Sequence, residues 1–475
     1  MFALPWSRWL ASRHVHYAWV IAGVAFLTML TTSAALGLPG AMLLPLSGEF
    51  GWNTEQISSA LALRFALFGL MGPFAAVFME RYGLRAVVTT ALALVAGGLV
   101  LSTGMSHFWQ LVTLWGFVLG VGSGMTALVL GAVVANRWFD RHRGLVIGVL
   151  TASSATGQLA FLPLAAWLIQ HHGWRWAVIP TVIVGAIVAV LAVTLLRSHP
   201  RDLGLAPYGA DDATVKAAAL EASAPASSAA SASSAASDAS SPPRSVPDAT
   251  AVPGPMAPPR PSFLAPFSVL RSVSGNRTFW VLAGTFFICG LSTNGLIQTH
   301  FITLCGDFGM AAVPAASVLA LMGAFDFVGT ILSGWLSDRY DSRKLLFWYY
   351  GLRALSLFWL PHSTFTLYGL SLFAMFYGLD WIATVPPTVK LAAAEFGRER
   401  TGVVFGWIFA AHQLGAAVAA YGAGLSRTLL MTYTPALYGA GIACLIAAVL
   451  ALTIRRMSRA TVAPPRPPVG DLAHP

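Results

Sequence analysis

Apolar stretches of about twenty residues recur along this chain, each closed by a short cluster of charged or turn-forming residues. A helix needs about 20 mostly apolar residues to cross a hydrocarbon core of about 30 Å at 1.5 Å per residue. On that measure the pattern predicts twelve membrane-spanning helices. Six lie near 17–40, 54–79, 85–105, 107–135, 144–170 and 174–196, and six near 278–303, 313–336, 344–361, 365–391, 402–425 and 432–454. Between the sets, KAAALEASAPASSAASASSAASDASSPPRSVPDATAVPGPMAPPRPS is Ala, Ser and Pro with little else. Such a stretch cannot bury enough apolar surface to fold. The chain therefore divides into a first six-helix half (1–197), a disordered linker (198–276), a second six-helix half (277–457) and a disordered proline-rich tail (458–475). The predicted class is an all-α membrane protein.

The pattern also repeats. ERYGLR at 80–85 follows the second span and DRYDSRK at 338–344 follows the eighth, with Glu80 and Asp338 258 residues apart. Gly144, Gly148 and Ala152 open the fifth span, and Gly402, Gly406 and Ala410 open the eleventh at the same offset of 258. Two parallel halves with a site near the midplane between them form a transporter architecture.

Composition agrees with lipid as the outer solvent. The chain is 56% hydrophobic and 10% charged, with a mean hydropathy of +0.70, where a soluble domain carries about 25% charged residues. The net charge of +10 does not mark a nucleic-acid partner, because the cations sit in short clusters between apolar runs and form no stripe with interleaved aromatics. With both termini and the linker in the cytoplasm, all but four of the 28 Lys and Arg residues fall on that side; Arg175 and Arg427 fall outside, and Arg64 and Arg353 lie within spans. Residues 1–16 carry Arg8 and Arg13, and the apolar run after them has no small-residue cleavage site, so it reads as an anchor. Cys289, Cys305 and Cys444 have no metal-ligand spacing. There is no nucleotide loop, no HExxH and no nucleophile elbow. The sequence thus predicts neither an enzyme nor a cofactor nor a nucleotide partner, and transport would draw on gradients.

The charged turn has the form Gly334-x-x-x-Asp338-Arg339-x-x-x-Arg343-Lys344. It resembles the loop motif of the major facilitator superfamily, and Glu80, Arg81, Gly83 and Arg85 form a partial first-half copy. Ala76 stands where that motif has its leading glycine, and Asp341 where the second copy would have its turn glycine. The resemblance implies a gate: the acid and its neighbouring arginines (Glu80, Arg81, Arg85; Asp338, Arg339, Arg343) latch one half to the other through charge-assisted bonds that are strong yet breakable. The run from Trp138 to Gly148 resembles the loop before the fifth helix of the monocarboxylate transporter family. FGWNTEQIS and HHGWRWAV fit that family and its oxalate–formate exchanger relatives.

Ionisable groups at mid-span are costly and mark function by default. Arg64, Asp326, Arg353, Asp380 and the titratable His412 lie there. The family resemblance implies an Asp-x-x-x-Arg in the eighth span, with the Asp in proton coupling; Asp326 matches it, but the Arg position is Thr330. Arg353 is expected in a buried ion pair with Asp326 or Asp380, and Asp380 is either that partner or a second proton site. Arg64 is the candidate for gripping a carboxylate substrate, with Asn294, Gln298 and His412 as further substrate contacts; a hydrogen-bonded structural histidine is the plainer account of His412. The expected function is a secondary transporter of a bacterial inner membrane. It would carry a small monocarboxylate-like anion by proton symport or anion exchange, its partners being that substrate, protons and the bilayer. The alternatives are proton-driven export of an amphipathic or cationic compound, and a membrane ligand sensor that does not transport.

Overall fold

The computed structural model describes residues 13, 15–126, 128–210, 262–397 and 400–455. Each of the twelve expected spans coincides with helix, and the rods are numbered here in that order. Nine are long and apolar enough to cross a bilayer among the described residues: Ala18–Phe50, Thr54–Tyr82, Leu84–Ser102, Phe108–Trp138, Trp174–Leu195, Arg277–Asp307, Ala312–Arg339, Thr401–Leu430 and Thr434–Leu452. The fifth rod is interrupted (Arg143–Ala160, Leu162–His172), the ninth is shorter and more charged (Ser342–Trp359), and the tenth is broken at mid-length (Ser371–Asp380, Val385–Phe396).

Local chemistry sets the ends and the breaks. Asn53 opens the second rod with a capping box: its Oδ1 accepts from Gln56 N at 2.7 Å, and its own N–H donates to Gln56 Oε1 at 3.0 Å. The first rod is interrupted at Leu38. Pro39 has no N–H to return to the Ala35 carbonyl, so that carbonyl needs another donor. The seventh rod carries a π-helical stretch, Leu291–Gln298.

The halves meet mainly along the second and eleventh rods, with further contact between the fifth and eighth and between the first and seventh. At the end away from the linker they share one apolar core, in which Ala41, Leu162 and Ala166 of the first half pack with Leu296, Phe301 and Leu319 of the second. There Glu55 N donates to Thr428 Oγ1 at 3.1 Å, and Tyr421 OH donates to Glu55 Oε1 at 2.8 Å. At the linker end, among the described residues, each half has a core of its own.

Both ends of the expected linker, 198–276, are among the described residues. Its first residues dock on the first half: Tyr208 N donates to Trp138 O at 2.8 Å, and Asp140 N and Arg141 N donate to Tyr208 O. The Tyr208 ring sits against Trp19 and Phe139. Its last residues form a helix, Ala265–Val273. Residues 211–261, and the expected disordered tail 458–475, lie outside the described residues.

Close rod contacts rest on glycine. A Cβ on Gly329 would overlap the Leu379 backbone of the tenth rod, whereas one on Gly148 would meet nothing within 4 Å. Overpacking costs about 1–3 kcal/mol. Gly329→Val is therefore expected to lower the thermal unfolding midpoint of the detergent-solubilised protein clearly, and Gly148→Val to leave it nearly unchanged. Equal midpoints would contradict this packing.

Candidate functional site

The break in the tenth rod leaves backbone groups at residues 380–383 without the partners of a continuous helix, in a region where water cannot serve them. Side chains from neighbouring rods do so instead. Arg353, on the ninth rod, donates from Nη2 to the carbonyls of Asp380 (2.5 Å) and Trp381 (3.2 Å). Asp326, on the eighth, accepts from Ile382 N at 2.9 Å. Ser333 Oγ donates to Ala383 O at 2.5 Å. The unwound turn is stitched residue by residue.

Arg353 is also half of an ion pair. Its Nε lies 2.6 Å from Asp380 Oδ2, with both side chains buried. Arg353 is thus paired with Asp380 rather than with Asp326. Nη1 reaches Cys289 Sγ at 3.0 Å and Ser292 Oγ at 3.4 Å on the seventh rod, so the arginine ties three rods together. Asp380 Oδ1 has no partner. A cavity of about 570 Å³ lies on this flank, walled by Leu352, Leu355, Trp359, Phe376 and Asp380. Its wall residues Leu352, Leu355 and Phe376 are exposed on the outside of the bundle, which makes it a lipid-facing recess rather than a passage between the halves.

Asp326 is equally buried but differently held. Besides Ile382 N–H it accepts from Thr330 Oγ1 at 3.1 Å, one turn along the same rod. Both donors are neutral. Thr330, standing where an arginine was anticipated, serves as a hydrogen-bond partner of the acid.

The second buried guanidinium lies in the first half. Arg64 is 1% exposed. It donates from Nη1 to Ala35 O at 3.4 Å and from Nη2 to Leu36 O at 3.0 Å, so it supplies the donor that Pro39 denies to Ala35. Its Nε has no partner, and among the described residues no carboxylate lies within ion-pair distance of it. Other buried groups on the rods of the seam are also short of partners. Gln298 is buried with both Oε1 and Nε2 free, Gln413 has a free Oε1, and His412 has a free Nδ1. Glycines bring the rods that carry them close to their neighbours: Gly40 of the first rod abuts the Gln298 carbonyl, Gly69 of the second abuts the Gln413 side chain, and Gly290 of the seventh abuts His412. Phe65, Phe68, Phe409 and Ala416 supply apolar walls. His412 is ringed by Phe286 and Phe409 at centroid distances of 4.7 and 5.8 Å. Asn294 is half-buried in the π-helical stretch, and its carbonyl accepts from Thr299 Oγ1 at 2.7 Å.

The family model described as Major Facilitator Superfamily matches residues 21–420. The chain belongs to the major facilitator superfamily. It is 23% identical over 394 residues to the uncharacterized MFS-type transporter YcxA of Bacillus subtilis, covering 81% of this chain and 82% of that one. It is 23% identical over 431 residues to monocarboxylate transporter 13 of Rattus norvegicus, covering 90% and 86%. The solved structure of a D-xylose–proton symporter superposes with a TM-score of 0.66 at 15% identity, covering 92% of this chain and 98% of that one; this likeness establishes the fold. The superfamily consists of transporters rather than enzymes.

The superfamily's loop motif is arranged unequally in its two copies. In the second copy Arg343 pairs with Asp341 at 2.6 Å and donates to Ile454 O at 3.0 Å, within its own half. Arg339 lies over the Trp335 ring of its own rod at 3.9 Å, and Asp338 is exposed. In the first copy Glu80, Arg81 and Arg85 are exposed. Glu80 lies within electrostatic reach of Arg137 in the same half, and Arg81 lies 4.3 Å from the centre of the Phe263 ring, on the linker. Sequence reasoning missed Gln413, Cys289 and Phe263. Gln413 adjoins a singled-out histidine and was findable; the other two carry no signal outside three dimensions.

Removing one partner of a buried ion pair costs about 3–5 kcal/mol, while replacing both can be much milder. Asp380→Asn is therefore expected to lower the thermal midpoint strongly, and Asp380→Asn with Arg353→Gln to recover part of the loss. A double variant no better than the sum of the singles would show that Arg353 acts mainly through the backbone carbonyls.

Proposed function

We propose that this chain moves a small organic anion bearing one carboxylate, together with a proton, across a bacterial inner membrane by alternating access. The observation that carries the proposal is Arg64: a guanidinium buried at the seam between the halves, with a free Nε and no acid opposite. An uncompensated cation in a low-dielectric site attracts an anion strongly, and a guanidinium matches a carboxylate in geometry. Gln298, Gln413 and His412, on the seventh and eleventh rods, carry further unpaired polar atoms, and Asn294 sits on the same π-helical stretch as Gln298. The monocarboxylate transporters among the relatives support the same cargo class. A cationic cargo fits less well, because the unpaired charge at the seam is positive and Asp380 is committed to Arg353.

Asp326 is the proposed proton site. It is held by neutral donors, so taking up a proton changes its charge without breaking a salt bridge, and through Ile382 it is tied to the break in the tenth rod. Proton binding there would loosen or tighten that turn, and loading Arg64 with a carboxylate would remove the second uncompensated charge before the halves rock about the site. The positive charges at that end support a cytoplasmic linker and cytoplasmic termini.

The test is uptake into proteoliposomes of a panel of labelled small carboxylates under an imposed proton gradient. Wild type is expected to accumulate at least one of them. Asp326→Asn is expected to abolish accumulation yet keep exchange, and Arg64→Gln to reduce both at least about tenfold. If no carboxylate moves under any gradient or counter-anion, the proposed cargo is wrong.

A further inference from the structure

The latch that the loop motif implied would run from an acid to the opposite half. What spans the halves at the linker end is aromatic. The segment that ends the linker continues directly into the seventh rod and is therefore an arm of the second half. It reaches across to the first. Phe263 packs on Phe78 and Tyr82 of the second rod, at 5.8 and 6.4 Å between centroids, and receives the Arg81 guanidinium on its face. Phe267 sits edge-on to Phe74 of the second rod at 5.3 Å and tilted against Trp407 of the eleventh at 5.6 Å. Trp407 Nε1–H donates to Pro266 O at 3.0 Å, which fixes the arm to its own half. Phe263 stands just before the short helix Ala265–Val273 and Phe267 in its first turn, and both rings face the second rod.

Directly beneath, Gly406 of the eleventh rod packs on the Pro73 backbone, and Gly72 lies against Phe409. The second and eleventh rods thus touch closely at the linker end, although the two cores there are separate. The arm closes over this contact.

We infer that residues 262–273 are a clasp: an arm of the second half whose two phenylalanines grip the second rod and limit how far the linker ends of the halves can part. Arg81, implied to belong to a charge latch, instead works here through the face of Phe263. Aromatic and cation–π contacts are individually modest, so the clasp is strong enough to bias a conformational equilibrium and weak enough to release within a transport cycle. The inference rests on the alternating-access reading, but its test needs no substrate.

The experiment places spin labels at Leu145→Cys, in the first half, and Tyr340→Cys, in the second; both positions are exposed. The three native cysteines are buried, so labelling is confined to the introduced pair. Pulsed dipolar distances are recorded for the full chain in lipid nanodiscs. Phe267→Ala and, separately, Phe263→Ala are expected to raise the population of the longer separation roughly threefold or more. Arg81→Gln is expected to move it in the same direction by less, and Arg81→Lys to restore most of the original distribution. Trp407→Phe keeps the ring while removing the bond to Pro266, and is expected to give an intermediate shift. If the distributions of both phenylalanine variants superpose on that of the parent, in protein that elutes as a single symmetric peak, the clasp is refuted. Should either variant fail to fold, the other and Trp407→Phe carry the same decision. A clasp that registers here while no carboxylate moves in the uptake test would separate the failure of the cargo proposal from that of the clasp.

Discussion

A helix broken inside a bilayer must have its freed carbonyls and N–H groups met by side chains, because lipid offers no substitute for water. In this protein each half meets that demand with a buried arginine. Arg353 serves the carbonyls at the break in the tenth rod, and Arg64 serves those at the break in the first. The two are alike in their backbone work and unlike in charge: Arg353 is neutralised by Asp380, whereas Arg64 has no acid within reach. Around Arg353 the donors and acceptors are largely matched, as befits a structural knot. On the rods of the seam, two glutamines and a histidine keep free atoms, an arrangement that structure alone would not favour.

Much of the fold was legible in the sequence because the solvent is so restrictive. An apolar run of fixed minimum length is nearly forced to be helix, and each expected span contains helix, nine of them long and apolar enough to cross among the described residues. The mid-span charges were visible for the same reason: charge in lipid is costly, so Arg64, Asp326, Arg353 and Asp380 stand out by type alone. Their partners were not visible. Whether Arg353 faces Asp326 or Asp380 depends on the rotation of three rods, which no one-dimensional pattern encodes. Thr330 looked like a lost arginine; in the structure it is a hydroxyl that holds an acid. The ends of the linker were hidden by averaging. A stretch dominated by Ala, Ser and Pro swamps the signal of Phe263, Phe267 and Tyr208, each of which has an aromatic floor waiting for it on a helix distant in sequence.

The loop motif illustrates how a shared sequence can take up local work. Its second copy is satisfied within its own half through Asp341 and Ile454. The turn position that would have been glycine is the very residue that pairs with Arg343. In the first copy the acid faces Arg137 and the arginine faces an aromatic ring. The two copies are therefore not interchangeable, and the twofold resemblance of the halves stops at the surface that joins them.

The solitary state of Arg64 also has an electrical consequence. The Arg353–Asp380 pair is neutral, and at the far end Arg175 and Arg427 are matched by Glu49 and Asp307. Among the described buried side chains this leaves one guanidinium and one carboxylate, Arg64 and Asp326, to feel the transmembrane field alone. A charge crossing 100 mV exchanges about 2.3 kcal/mol with that field. In the proposed scheme the empty carrier with Asp326 ionised and the carrier loaded with one anion and one proton hold the same net charge. The voltage would then neither drive nor oppose the cycle, and the concentration gradients alone would set its direction.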